Sequence, residues 1–249
     1  MIASLMGGLA FSLALASWGV LSDSVAGAAA MIAGHGSLLA SAMAWSTHGR
    51  RDATSPSVEV PLLLLALGAL VASLHEAGAL AYLAVPLWLA RATARRRLLG
   101  LGLGTPVSAA AVGLGALTGV ALGGHLLVAA SLTHGYRPRM LAPAVLTDLA
   151  YDVGVQVIAT ECFFRGALFN RTQRVWPFAG AATLTTIATL ARYLIDPRLP
   201  GSAEILTGMV FYITLLSVMN CWLFWRFGSL IPCLVSSLLF FVAYRGIVG

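Results

Sequence analysis

The sequence of 249 residues has no lysine, only three cysteines and few charges, 10% of residues against 59% hydrophobic. A soluble domain carries about 25% charged and 45–50% apolar residues, and still exposes a polar coat. The scarcity of charge therefore excludes a soluble globular domain, a disordered chain and a collagen-like fibre. Cys162, Cys221 and Cys233 lie within apolar segments and have no CxxC spacing, so neither a disulfide framework nor a zinc site is expected from them. No histidine follows His134.

Long apolar runs are abundant. One bilayer crossing takes about 20 apolar residues, so the chain has room for about eight or nine crossings and little else. The expected fold is all-α, a polytopic transmembrane helix bundle forming a single integral membrane domain over residues 1–249. The net charge of +6 comes from fifteen arginines and nine acids. The arginines sit singly or in short clusters between apolar runs, the layout of the positive-inside rule and not of a phosphate-binding groove. Membrane lipids and other membrane subunits are the expected partners, and nucleic acid is not. Arginine without lysine, with abundant Ala and Gly, suggests a GC-rich bacterial genome and hence the bacterial cytoplasmic membrane.

The first run, Ile2–Leu21, precedes a cleavage-like Ser24-Val25-Ala26. No basic residue precedes it, so it reads as a span and not as a signal peptide. Further spans are expected over Val25–Trp45, Val107–Leu132, Ala144–Phe164, Pro177–Ile195, Ile205–Trp225 and Leu230–Val248. A polar linker, Thr47–Ser57, follows the second. The run Val60–Ala90 is too long for one straight crossing. It is expected to divide into two spans at a tight turn over His75–Gly78. With nine spans and a cytoplasmic N-terminus, ten arginines fall inside and five outside, and the C-terminus lies outside.

Few residues in the spans can do chemistry. Gly115, Gly119 and Gly123 form two overlapping GxxxG steps, the spacing that lets two backbones approach closely in lipid. Ionisable groups at membrane depth are costly, and each marks a candidate site. Asp148 and Asp152, four residues apart, share a helix face and could form a proton relay. Glu161 and Arg165 have the same spacing, in the order that favours a helical ion pair. His35 and His125 fall within spans, as packing residues or, alternatively, as haem ligands. Ser236 and Ser237 have no histidine or lysine near them in sequence to activate a nucleophile, so interhelical hydrogen bonding is the expected role.

The stretch Thr160-Glu161-Cys162-Phe163-Phe164-Arg165-Gly166-Ala167-Leu168 resembles the first motif of the CPBP family, Glu-Glu-x-x-x-Arg followed by Gly and apolar residues. These are multi-helix intramembrane proteases that process CAAX proteins and bacteriocins. A second stretch, Phe224-Trp225-Arg226-Phe227-Gly228-Ser229-Leu230-Ile231-Pro232, resembles the family's entry into its last catalytic helix. The resemblance covers about Asp148 to Tyr244, placing the CPBP-like helix core in 144–249 after N-terminal spans in 1–143. It implies a site in which two glutamates and a histidine activate water while a second histidine and an asparagine stabilise the oxyanion.

The sequence departs from that pattern at most of these positions. Position 160 is threonine, too weak an acid to serve as a general base. The histidine of the family's Phe-x-x-x-His motif falls near Arg192 or Tyr193. The last motif, His-x-x-x-Asn or Asp, starts near Ser236 or Ser237 and ends near Phe240 or Phe241. Of the implied catalytic set only Glu161 remains, with Arg165 beside it. The expectation is a protease-like membrane protein that has lost its chemistry and serves as a subunit, docking or assembly factor, with no cofactor. The alternatives are a divergent active endopeptidase, with Glu161 as base and Asn220, Ser236 or Ser237 as oxyanion donor, and a transport- or redox-associated subunit.

Overall fold

The computed structural model describes residues 18–19, 23–46, 58–95, 98–135, 143–194 and 203–248. Most of the expected first span, and all of the linker Thr47–Ser57, lie outside the described residues. Among the described residues the chain is all-α. The helices are α1 (Asp23–Ser46), α2 (Glu59–Leu74), α3 (Ala84–Ala94), α4 (Ala109–His134), α5 (Pro143–Tyr151), α6 (Val157–Glu161), α7 (Asn170–Thr172), α8 (Phe178–Leu194), α9 (Ala203–Phe227) and α10 (Ile231–Val248). Three helical stretches are long and apolar enough to cross a membrane: Ala77–Ala94, Ala109–Thr133 and Leu206–Phe227. Glu59–Leu74 and Ile231–Ile247 are shorter apolar helices.

The long apolar run does break where a single helix would overshoot. Helix α2 ends at His75, whose backbone is extended, and a 3₁₀ helix Glu76–Leu83 leads into α3. The His75 ring accepts a hydrogen bond from the Ala77 amide at 3.1 Å, capping the new start. Gly78 lies against the Val71 carbonyl, where a Cβ would collide, so the 3₁₀ segment folds back on α2. The exposed side chains of α2, Leu63, Leu67, Leu70 and Leu74, recur at helical spacing along one face. Such an apolar exposed stripe suits a lipid-facing helix.

Packing divides the chain into two compact units. One comprises Met1–Gly100 with Leu141–Phe163, and the other Leu101–Met140 with Phe164–Gly249. In the first unit α1 packs on α6, and α5 packs on the 3₁₀ helix. The Trp45 and Phe163 rings lie 5.7 Å apart, and Gly154 lets Tyr82 approach so closely that a Cβ would sit 2.5 Å from its carbonyl oxygen.

In the second unit α4 packs along α10, and α9 packs against both α8 and α10. A Cβ on Gly115 would strike the Pro232 backbone, and one on Gly119 the Ser236 carbonyl. At Gly123 it would lie 2.7 Å from the Ala243 Cβ. Register rises together on the two helices, so they run parallel. Leu117, Val120, Val128 and Leu132 are exposed on α4.

Candidate functional site

The segment holding Asp148, Asp152, Glu161 and Arg165 is helical throughout but not uniformly α. Two π-helical stretches, Asp152–Gln156 and Cys162–Phe169, flank the short helix α6. A π turn bonds residue i to i+5 and widens the helix, and such insertions concentrate at functional sites. Asp152 opens the first wide stretch and Arg165 lies within the second. The α-helical four-residue register assumed from the sequence is therefore not the local geometry around either.

Burial separates the two aspartates. Asp152 is buried, whereas Asp148 is partly exposed. Glu161 and Arg165 are 3% and 2% exposed, so both members of the pair are withdrawn from solvent. A charge in such a setting is costly unless matched by an opposite charge or hydrogen bonds. Thr160, where the resemblance calls for the first glutamate, bonds backward along its own helix. Its hydroxyl donates to the Gln156 carbonyl at 2.6 Å and lies 3.1 Å from the Val157 carbonyl. This is the usual way a threonine hydroxyl is satisfied inside an apolar helix.

A histidine does occur in the same unit. His35, buried on α1, lies with Nδ1 3.3 Å from the Tyr151 hydroxyl and meets that ring edge-on at 5.8 Å. Tyr82 packs edge-on to Tyr151 from the other direction, at 5.7 Å. This His35–Tyr151–Tyr82 set was not legible in the sequence, which offered only an isolated histidine in an apolar run.

The second unit gathers the remaining candidates on α8, α9 and α10. Asn220 and Ser237 are fully buried, and the Asn220 side-chain amide donates to the Ser237 hydroxyl at 2.8 Å and to the Cys233 carbonyl at 3.5 Å. The Cys233 thiol in turn donates to the Asn220 carbonyl at 3.2 Å. Ser236 is also buried, and its Oγ has no hydrogen-bond partner among the described residues. Thr186 and Ser217 share a hydrogen bond of 2.9 Å between α8 and α9. Further along the same helices, Tyr193 stacks on Phe241 with ring centroids 6.3 Å apart and planes inclined by 19°. His125 reaches across to α9, with Nδ1 2.7 Å from the Tyr212 hydroxyl.

Local sequence explains why α9 and α10 meet in this way. Helix α9 ends at Gly228, whose φ of 62° is left-handed and suits a residue without a side chain. The Ser229 hydroxyl then accepts from the Ile231 amide at 3.3 Å, and the Leu230 amide donates to the Gly102 carbonyl at 3.0 Å. Pro232 sits in the first turn of α10, where a missing amide costs nothing. The result is an antiparallel helix pair that places Asn220 opposite Cys233 and Ser237.

Among the described residues no group of three or more His, Cys, Asp or Glu is placed to hold a metal. The Cys162, Cys221 and Cys233 side chains are all buried.

Comparison with known proteins gives one finding. Residues 142–241 match the family model described as type II CAAX prenyl endopeptidase Rce1-like. Neither curated proteins nor solved structures give a match. The matched stretch contains the Glu161–Arg165 motif, the Tyr193–Phe241 stack and the Asn220–Ser237 bond. Residues 142–241 are thus similar to the Rce1-like, CPBP-type family, and with the apolar helices described above the match suggests an integral membrane protein.

Proposed function

We propose that this protein keeps the helix arrangement of a CPBP-type intramembrane protease without its chemistry. It serves as a non-catalytic subunit, or as a docking or assembly factor, for other membrane proteins. One observation carries the reading. The family pattern puts a histidine near Arg192 or Tyr193 and an asparagine or aspartate near Phe240 or Phe241; none of these is such a residue, and Tyr193 and Phe241 are two rings stacked on each other. Aromatic rings in offset contact fill space and repel water. Neither phenyl nor phenol in that setting takes up a proton at neutral pH or orients a hydrolytic water as imidazole does. Thr160, with its hydroxyl committed to the Gln156 carbonyl, supports the same conclusion.

In this reading Glu161 and Arg165 act as a structural ion pair, and Asn220 with Ser237 as a helix clamp. The protein sits in a bacterial cytoplasmic membrane with its N-terminus cytoplasmic and its C-terminus outside. The test is a cleavage assay on the purified full chain with prenylated CAAX peptides and lipoprotein-derived peptides, beside Glu161→Gln. No cleavage above a protein-free control, together with a stoichiometric membrane complex on mild solubilisation, is the expected result. Cleavage by the wild type that disappears in Glu161→Gln overturns the proposal in favour of a divergent endopeptidase with Glu161 as its base.

A further inference from the structure

Helix α3 ends in a feature that the protease-like reading does not use. Ala77–Ala94 is one of the apolar stretches able to cross a membrane, and its last turns carry Trp88, Arg91 and, just beyond, Arg95. Spacings of three and four residues put all three on one helix face. Together with Ala92 they line a small cleft of about 80 Å³. Both arginines are exposed, while Trp88 is half-buried. Arg96 and Arg97 follow directly in the sequence.

Two features point to an anion held at a membrane boundary. Arginine presents several donors in a planar fork that matches phosphate oxygens, and two forks bordering one cleft can engage a single phosphate from both sides. Tryptophan prefers the headgroup level, where its ring contacts acyl chains and its N–H stays wet. The helix end itself works against an anion, because the last carbonyls carry partial negative charge. Attraction must therefore come from the side chains, and the two arginines are its source. A free phosphate would need no apolar neighbour. An indole beside the arginines, at the end of an apolar helix, suits a phosphate tethered to acyl chains.

We propose that the Trp88–Arg91–Arg95 cleft is a binding site for the phosphate headgroup of an anionic phospholipid. The lipid phosphate bridges the two guanidinium groups, and the first acyl carbons lie along Trp88. A bound lipid would fix the end of α3 at a defined depth.

The full-length protein is purified and exchanged into mixed phosphatidylglycerol and phosphatidylcholine, and retained lipids are counted by native mass spectrometry. The wild type is expected to retain phosphatidylglycerol preferentially. Arg91→Gln with Arg95→Gln should cut that retention by about fivefold per arginine removed, as expected for side chains at an anionic surface. Arg174→Gln, a change at an exposed arginine elsewhere, should leave retention unaltered. Equal retention of the two lipids, or no loss in the double variant, overturns the proposal. Displacement of the lipid by millimolar inorganic phosphate also overturns it, because the site then recognises a free anion. A second measurement needs no arginine variant. Phosphatidylglycerol with brominated acyl chains should quench wild-type tryptophan fluorescence more than brominated phosphatidylcholine, and Trp88→Phe should abolish that difference. A difference that survives in Trp88→Phe places the lipid elsewhere and defeats the assignment.

Discussion

Asn220 on α9 donates its side-chain amide to the Ser237 hydroxyl on α10 at 2.8 Å, deep within a unit whose neighbouring residues are mostly apolar. The same amide also reaches the Cys233 carbonyl. One side chain thus fastens two helices at two points.

Removing that amide should loosen the pair. Interhelical hydrogen bonds in membranes contribute about 0.6 kcal/mol on average and up to about 1.7 kcal/mol. Asn220→Ala is expected to exceed the average, because it also leaves a cavity at a fully buried position. A double-mutant cycle of Asn220→Ala and Ser237→Ala, followed by unfolding in mixed micelles, should give a coupling energy in that range. A coupling energy of zero would show that the bond adds no stability.

The glycine seam between α4 and α10 makes a graded set. Gly115→Val and Gly119→Val place atoms against the Pro232 backbone and the Ser236 carbonyl, which cannot rotate away. Each should destabilise by about 1–3 kcal/mol or more through overpacking. Gly113→Ala meets nothing within 4 Å and should be neutral or slightly stabilising in its helix. Thermal unfolding of the three variants in detergent checks the order, and equal stability across them would contradict close α4–α10 packing.

Glu161 and Arg165, both buried, are proposed to neutralise each other. Arg165→Ala should then cost about 3–5 kcal/mol, since it leaves a buried carboxylate without its countercharge. Arg165→Ala with Glu161→Ala should be no worse than either single change. Yield and unfolding midpoint of the purified variants measure this. Losses that simply add would mean that the two residues act separately.

The three thiols offer a readout of packing. Cys162, Cys221 and Cys233 are all fully buried, and thiolate chemistry needs access to water. A maleimide should label none of them in the native protein and all three after denaturation. Rapid labelling of Cys233 in the native state would show that the α9–α10 contact opens readily.

Much of the helix plan was legible. The break at His75 followed from run length alone, because 31 apolar residues exceed one crossing. The Glu161–Arg165 motif and the Gly-Ser-Leu-x-Pro turn are legible in the sequence, and both lie within the residues that match the Rce1-like family model. The seam of Gly115, Gly119 and Gly123 had a spacing suited to close packing, but no spacing names the facing helix. The π-helical stretches were hidden because a single extra residue per turn leaves hydrophobic periodicity almost unchanged over five to eight positions. The His35–Tyr151 contact was hidden for a different reason: it joins residues 116 positions apart.

The sequence by itself determined a chain of apolar helices suited to a membrane, with a segment that resembles CPBP proteases and carries few ionisable residues. Composition suffices for this, since a bilayer selects segments by length and polarity. Only the tertiary structure decided which side chains meet within that segment. Stacking Tyr193 on Phe241, and bonding Asn220 to Ser237, depends on which helix faces meet. Side-chain packing sets those contacts, and hydropathy does not encode them.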